Sequence, residues 1–220
     1  MALSYRLKTV ADLVSKDKVV ADIGCDHALL SIYLVENGIS NKVYAIDNKK
    51  GPLAKANENI ELANLKDNIQ TVLDDGLTHL PSDVDVAVMA GIGGLLAVQM
   101  LEKASRIPET VIIQANNHLK ELREYLSINN YRIEQETILL DSGLYYEIIK
   151  ASRGKQILTN EDKIFGPLLR KEKNIVFIEK WTKQLEHLEF ILKKNKDSDK
   201  LSEVKDSIEL IKKELNKSDE

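Results

Sequence analysis

The chain has 220 residues, enough for one sizeable core with an appendage. With 43% apolar residues, 30% charged residues and a formal charge of −4, the composition is that of an ordinary soluble protein; no apolar run approaches the length of a membrane span, and the charge does not advertise a nucleic-acid binder. A single cysteine, Cys25, excludes an internal disulfide and a cysteine-based zinc cluster, and MALSYRLK lacks the apolar stretch of a signal peptide; a cytoplasmic protein is expected.

In chain order, short apolar runs alternate with amphipathic stretches up to about residue 150. Strands are predicted at 19–23, 42–46, 69–73, 84–90, 110–114, 131–140 and 145–151, and helices at 29–37, 52–63, 95–104 and 119–129. Such alternation argues for an α/β fold, a mostly parallel Rossmann-like sheet with helices on both faces. Only Asp141-Ser142-Gly143-Leu144 separates the last two runs, so the sheet is expected to end in a hairpin with one antiparallel strand. From Gly166-Pro167 the pattern changes. Ile175, Ile178, Trp181 (or Thr182), Leu185, Leu188 and Leu192 recur at steps of three and four, and after a polar break at 195–200 the series Leu201, Val204, Ile208, Ile211, Leu215 is a heptad seam. An antiparallel coiled-coil hairpin is predicted. It is expected to protrude because its non-seam faces are charged; folding onto the sheet is the alternative. The division expected is 1–155 and 156–220.

The first strand ends on Gly24 and feeds at once into a helix, the outline of a nucleotide site. Where a glycine-rich loop places its second and third glycines, this chain has Asp26 and Ala28. Asp22 closes the first strand. Asp47, with Asn48 beside it, closes the second, where an acid can accept both hydroxyls of a ribose. Asp74-Asp75-Gly76 follows the third, in place to receive an adenine amine. A pyrophosphate asks for neutral glycine backbone. S-adenosylmethionine carries an ammonium and a sulfonium and no phosphate, so it tolerates acidic neighbours and is the expected cofactor. The fourth strand runs into Ala90-Gly91-Ile92-Gly93-Gly94, read either as close approach of backbone to the transferred methyl or as a tight turn. Gln114-Ala115-Asn116-Asn117 ends the fifth strand, with amides for a base edge or for an ordinary polar turn.

Taken in order, DIGCDHALL, GPLAKA, DDGL, AGIGG, QANNH and GPLLRKEKNIVFIEKW resemble the bacterial tRNA adenine-N1 methyltransferase family of the TrmK type, from Arg6 to about Leu215. The resemblance implies a class I methyltransferase domain with a C-terminal coiled coil. It also implies methyl transfer from S-adenosylmethionine to N1 of the adenosine at position 22 of tRNA. It assigns Asp22, Gly24, Asp26 and His27, with Cys25 between them, to the first cofactor loop. Asp47 takes the ribose, Asp75 and Gly76 flank the adenine, and Gly91, after Ala90, lines the methyl channel. The chain departs from the family pattern at Cys25, where serine is usual, and at Ala115, where proline is usual.

N1 of adenine owns an in-plane lone pair, so no covalent enzyme nucleophile is needed, and the product base is cationic. Asp26 is the expected catalytic carboxylate, with Asn116 as its partner in the base-binding loop. Cys25 is read as a small packing residue. His27 is read as a cofactor contact or a cap, and no metal is expected because no histidine pair has ligand spacing. Arg6, Lys8, Lys49, Lys50, Arg153, Arg170, Lys171 and Lys173 are candidate RNA contacts. The expected partner is tRNA, engaged by a monomer or weak homodimer. Three alternatives stay open: a methyltransferase of the same fold with another acceptor, a non-catalytic RNA- or protein-binding scaffold, and, last, an NAD-dependent oxidoreductase.

Overall fold

The computed structural model describes residues 3–194 and 199–217. The elements are α1 (Tyr5–Asp12), β1 (Val20–Ile23), α2 (Leu29–Glu36), β2 (Val43–Asp47), α3 (Lys50–Leu62), β3 (Ile69–Leu73), β4 (Val86–Ile92), α4 (Gly94–Lys103), β5 (Thr110–Ala115), α5 (Leu119–Ile128), β6 (Tyr131–Asp141), β7 (Leu144–Arg153), α6 (Asn160–Phe165), α7 (Leu169–Glu172), α8 (Ile175–Lys194) and α9 (Asp199–Asn216). No helix among the described residues is long and apolar enough to cross a membrane.

The seven strands form one sheet in the order β3-β2-β1-β4-β5-β7-β6, parallel except for β7. β1 carries no solvated face: all four of its residues are buried, as expected of a central strand covered on both sides. One layer packs Leu34, Leu53, Ala56 and Ile60 of α2 and α3, with Val10 of α1, on Val20, Val43 and Val88. The other packs Ala97, Leu101, Leu122 and Leu126 of α4 and α5 on Ala21, Ala87, Met89 and Ile113. Between β1 and β4 the strand order reverses, and in such sheets ligands bind in the crevice beyond the strands' carboxyl ends at that point.

Two local features shape that edge. The β4–β5 register shifts between Ala90 and Ile92, so Gly91 bulges out at the end of β4. The β6–β7 turn is Ser142-Gly143, both with positive φ, the two-residue geometry that matches strand twist.

At the far edge, Phe165, Leu169 and Phe177 pack on Ile138 of β6, and Trp181 meets the Phe165 ring edge-on at 4.6 Å. α9 returns along α8, with Ile208 and Ile211 buried, and its last turn is tied to α7 by Arg170 and Glu214. The predicted seam is shifted on α8: Ile175 and Ile178 are exposed, while Phe177 and Trp181 face inward. The cause is tertiary. The first turns of α8 meet β6 and α6 before they meet α9, so the aromatic pair sets the register. The polar break predicted at 195–200 falls largely outside the described residues; α9 begins at Asp199.

Candidate functional site

A cavity of about 340 Å³ opens at the switch point, lined among others by Arg6, Leu7, Asp22, Gly24, Cys25, Asp26, His27, Ala90, Gly91 and Ile92. Its floor is the turn from β1 to α2. Gly24, Asp26 and Ala28 all take positive φ, alternating with ordinary residues, a conformation that turns successive N–H groups toward one side. In a phosphate-binding loop those donors stay free for the ligand. Here the protein's own groups take them. The N–H groups of Gly24 and Cys25 both donate to the Ile46 carbonyl, at 2.8 and 3.0 Å, and the Asp26 N–H donates to Asp47 Oδ2 at 3.4 Å. α2 has no side-chain cap at Ala28; the Asp22 carboxylate does that work from beneath, accepting the Ser31 backbone N–H and its Oγ–H at 2.7 Å. The loop therefore presents carboxylates where a dinucleotide site presents amides.

Burial pushes Asp22 up to about 6, against the lowering effect of the two Ser31 hydrogen bonds. Asp47 also accepts the Lys49 N–H at 2.9 Å, which orients its carboxylate at the tip of β2. Asn48 donates to Asp75 Oδ1 at 3.2 Å and so joins the β2 and β3 loops. Asp74 is spent locally. Burial alone would raise it, yet the His79 N–H at 2.8 Å, the Asp75 N–H at 2.9 Å and the His79 ring hold it below the usual carboxylate range. Asp74 thus shapes the 74–79 turn, and Asp75 and Gly76 are the residues of that trio left at the loop. The Asp26 side chain is 72% exposed, and its carboxylate lies 3.7 Å from His27 Nε2. The Cys25 thiol lines the cavity, and burial pushes its pKa up, which removes the thiolate a nucleophile would need.

On the other wall a polar chain crosses from β5 to β4. Gln114, fully buried, accepts the Gly91 N–H at 3.0 Å and donates to Asn116 Oδ1 at 2.9 Å; Asn116 Nδ2 donates to the Gly91 carbonyl at 3.0 Å. The bulged Gly91 is thereby gripped on both of its backbone groups. Gly94, next in the loop, lies so close to the 117–118 backbone that a Cβ would come within 2.5 Å of two carbonyl oxygens. At Gly94 the run is a tight turn with no room for a side chain; at Gly91 the backbone lines the cavity with both of its polar groups engaged.

The predicted RNA contacts separate. Arg6 is drawn into the cavity, where its guanidinium donates to Gln114 Oε1 and stands 5.3 Å from the Tyr146 ring centre. Lys8, on α1, and Lys49, just after β2, are exposed. Arg153 sits at the opposite edge, stacked on Tyr131 and donating to the Ile107 carbonyl. Arg170 is held between Asp162 and Glu214 at 2.8 and 2.5 Å, and Lys173 donates to the Lys217 carbonyl. Of these three, Arg170 is paired with carboxylates of the protein, whereas Arg153 and Lys173 are bonded to neutral carbonyls and Arg153 is exposed. Sequence reasoning missed α1 as a wall of the site. The signal was there in Ser4, whose Oγ caps Leu7, and in the helical spacing of Leu3, Leu7, Val10 and Val14.

Comparison with known proteins bears on this geometry. Residues 20–213 match the family model for TrmK, tRNA (adenine(22)-N(1))-methyltransferase. The tRNA (adenine(22)-N(1))-methyltransferase of Bacillus subtilis is 34% identical, with 96% of each chain covered. Among solved structures, Streptococcus pneumoniae Sp1610 in complex with S-adenosyl-L-methionine is 37% identical with a TM-score of 0.90, covering 98% of this chain and 100% of that one. M. capricolum TrmK in complex with S-adenosyl-homocysteine is 30% identical with a TM-score of 0.90, covering 98% and 99%. A carboxylate-lined switch-point cavity, the strand order around it and similarity over almost the whole chain agree: this protein belongs to the TrmK family of tRNA (adenine(22)-N(1))-methyltransferases.

Proposed function

We infer that this chain methylates N1 of adenosine 22 in tRNA, using S-adenosyl-L-methionine. The observation that carries the reading beyond family membership is the β1–α2 turn, whose donors are consumed by Ile46, Asp47 and Asp22 so that its face to the cavity is acidic. Such a face fits a sulfonium and an ammonium and repels a pyrophosphate. When bound, the cofactor supplies an electrophilic methyl group on a cationic sulfur.

The chain's residues do the rest. Asp47 is assigned to the ribose hydroxyls and Asp75, with Asn48 and Gly76, to the adenine end of the cofactor. Gln114 and Asn116 hold the Gly91 bulge open at the methyl end, so Asn116 acts by positioning. N1 of the target base attacks with its own lone pair and becomes cationic as the bond forms. Asp26, exposed at the mouth with no hydrogen bond to its carboxylate among the described residues, is placed to stabilise that charge. In folded tRNA the N1 edge is normally paired, so the base has to leave its stack to reach the cavity. Residues 1–155 are assigned the transfer, and 156–220, with Lys8 and Lys49, the grip on tRNA; such a substrate places the reaction in the cytoplasm. The test is incubation of the pure protein with unmodified tRNA and the cofactor, followed by mapping of methylated nucleosides. N1-methyladenosine at position 22 is expected; methylation elsewhere, or none, overturns the reading.

A further inference from the structure

We propose that the tip of the β6–β7 hairpin, with Leu144 as its point, is a wedge that enters the tRNA stack where adenosine 22 leaves it. The inference rests on the function assigned above and deepens it, by naming the part of the chain that keeps the target base out. Extruding a paired base leaves a gap in the RNA, and proteins that unstack base steps fill such gaps with apolar side chains. The hairpin is built as a prong. β5 ends at Ala115, which pairs with Glu147, so Tyr146, Tyr145, Leu144 and the Ser142-Gly143 turn run on past the carboxyl edge of the sheet. At about 3.4 Å per residue, Leu144 to Tyr146 carry the tip about 10 Å beyond that edge. β6 and β7 stay paired up to Asp141 and Leu144, which stiffens the prong. Asp141 fixes it further: one carboxylate oxygen accepts the Arg6 N–H at 3.2 Å and the other accepts the Ser142 hydroxyl at 3.1 Å. On the sheet's other face, Lys183 of α8 stands over the Tyr145 ring.

Its placing suits that task. Only β5 separates β7 from β4, whose last residue, Ile92, lines the cavity, so the tip rises beside the site. Side chains alternate along a strand, which puts Leu144 on the face of Tyr146, and that face meets Arg6 of the cavity wall. Leu144 is 60% exposed. Single exposed leucines are ordinary on a protein surface. This one is set apart by a rigid mount next to a cavity that a base has to enter. Tyr5 is exposed as well, and with Lys8 it shares the outer face of α1, an aromatic ring and a cation of the kind that unstacked bases and phosphates take. A stable protein partner needs roughly 800 Å² a side, far more than these apolar side chains offer, whereas one base step asks for no more than a single side chain.

Single-turnover methylation of two tRNAs by the full chain tests this: an unmodified transcript, and one lacking the base that pairs with adenosine 22, in which the target is already free. Leu144→Ser should slow transfer to the paired tRNA at least about tenfold and to the unpaired one less than about twofold, with affinity for S-adenosylhomocysteine unchanged. Leu144→Met, which restores apolar bulk, should recover most of the rate. 2-Aminopurine placed at position 22 should brighten when wild type binds and stay dim with Leu144→Ser, because its fluorescence reports unstacking. Equal slowing on both tRNAs would make Leu144 a support of the site's fold, and no slowing on either, or equal brightening, would leave the hairpin tip without a part in base extrusion; each of these overturns the proposal. Failure of wild type to methylate adenosine 22 in either tRNA would instead overturn the assigned function on which it rests.

Discussion

Arg123, Glu136, Glu147 and Lys180 meet in the interior beside β6 and β7, whereas Asp22, Asp26, Asp47 and Arg6 meet over the ends of β1 and β4. Both clusters set carboxylates around an arginine, and they differ in how far the protein satisfies them. Arg123 is fully buried. Its Nε donates to Glu136 at 2.8 Å, Nη2 to Glu147 at 2.5 Å and Nη1 to the Lys163 carbonyl at 3.2 Å. Lys180 of α8 takes the other oxygen of Glu147, and the Leu168 N–H donates to Glu136 at 2.8 Å. Burial alone would weaken Glu147 as an acid, yet Arg123 and Lys180 hold it below the usual range. Gly166 closes the cluster so tightly that a Cβ would come within 2.9 Å of Arg123 and Glu136. This cluster binds nothing further; it bolts α5 and α8 to the sheet. At the rim, among the described residues, the Asp26 carboxylate accepts no hydrogen bond, with the His27 ring 3.7 Å away, and two nitrogens of Arg6 meet no protein acceptor. Where charges are fully paired they build the scaffold, and where some are left over they are available to a ligand.

Substitution can break this contrast at either end. The largest effect is expected at Arg123→Met, which removes the shared partner of two buried carboxylates and should lower the unfolding free energy by about 3–5 kcal/mol in a denaturant titration. A loss below about 1 kcal/mol would mean that the interior cluster is no more structural than the rim. Next comes Asp22, whose folded pKa of about 6 lies above its ordinary 3.8. The folded chain holds this proton more tightly than the unfolded one, so Asp22's contribution to stability is present below about pH 4 and is lost as pH rises through 6. Asp22→Asn keeps an acceptor for Ser31 without titrating. Its unfolding free energy should gain on wild type by about 3 kcal/mol between pH 3 and pH 8, at 1.36 kcal/mol per unit. A constant difference across that range would show that Asp22 is charged and compensated in the fold. The smallest effect falls on Asp26→Ala, where single-turnover kinetics should show a loss of about 100-fold in methyl transfer, near 2.7 kcal/mol, with cofactor affinity and stability close to wild type. Equal losses in turnover and cofactor affinity would make Asp26 a binding residue.

Much of the fold was legible because each strand carries its own signal. β1 to β5 are buried apolar runs punctuated by Gly24, Asp47 and the glycines after Ala90, and the Ser142-Gly143 turn announces the β6–β7 hairpin. α1, α6 and α7 were not legible. Each is short, and α1 becomes a wall of the site only by docking on α2 and the β6–β7 turn. The acids of the cavity were found from strand ends, because a strand's last residue has to lie at the sheet edge. Which acid faces the ligand was not decided at that level: Asp74 and Asp75 are neighbours in sequence, yet the 74–79 turn takes one and leaves the other.

The sequence by itself determined the layered α/β order, the acidic rim and hence the chemistry of the occupant, because apolar periodicity and strand-end residues are local properties. Tertiary structure alone decided the fate of the cations. Arg6 goes inward to Gln114, Arg170 to Glu214 and Arg153 to the far edge, since a long charged side chain is directed by partners more than a hundred residues away in the first case and 44 away in the second. A guanidinium reads the same in any sequence window; what it does depends on which acceptors folding leaves within its reach.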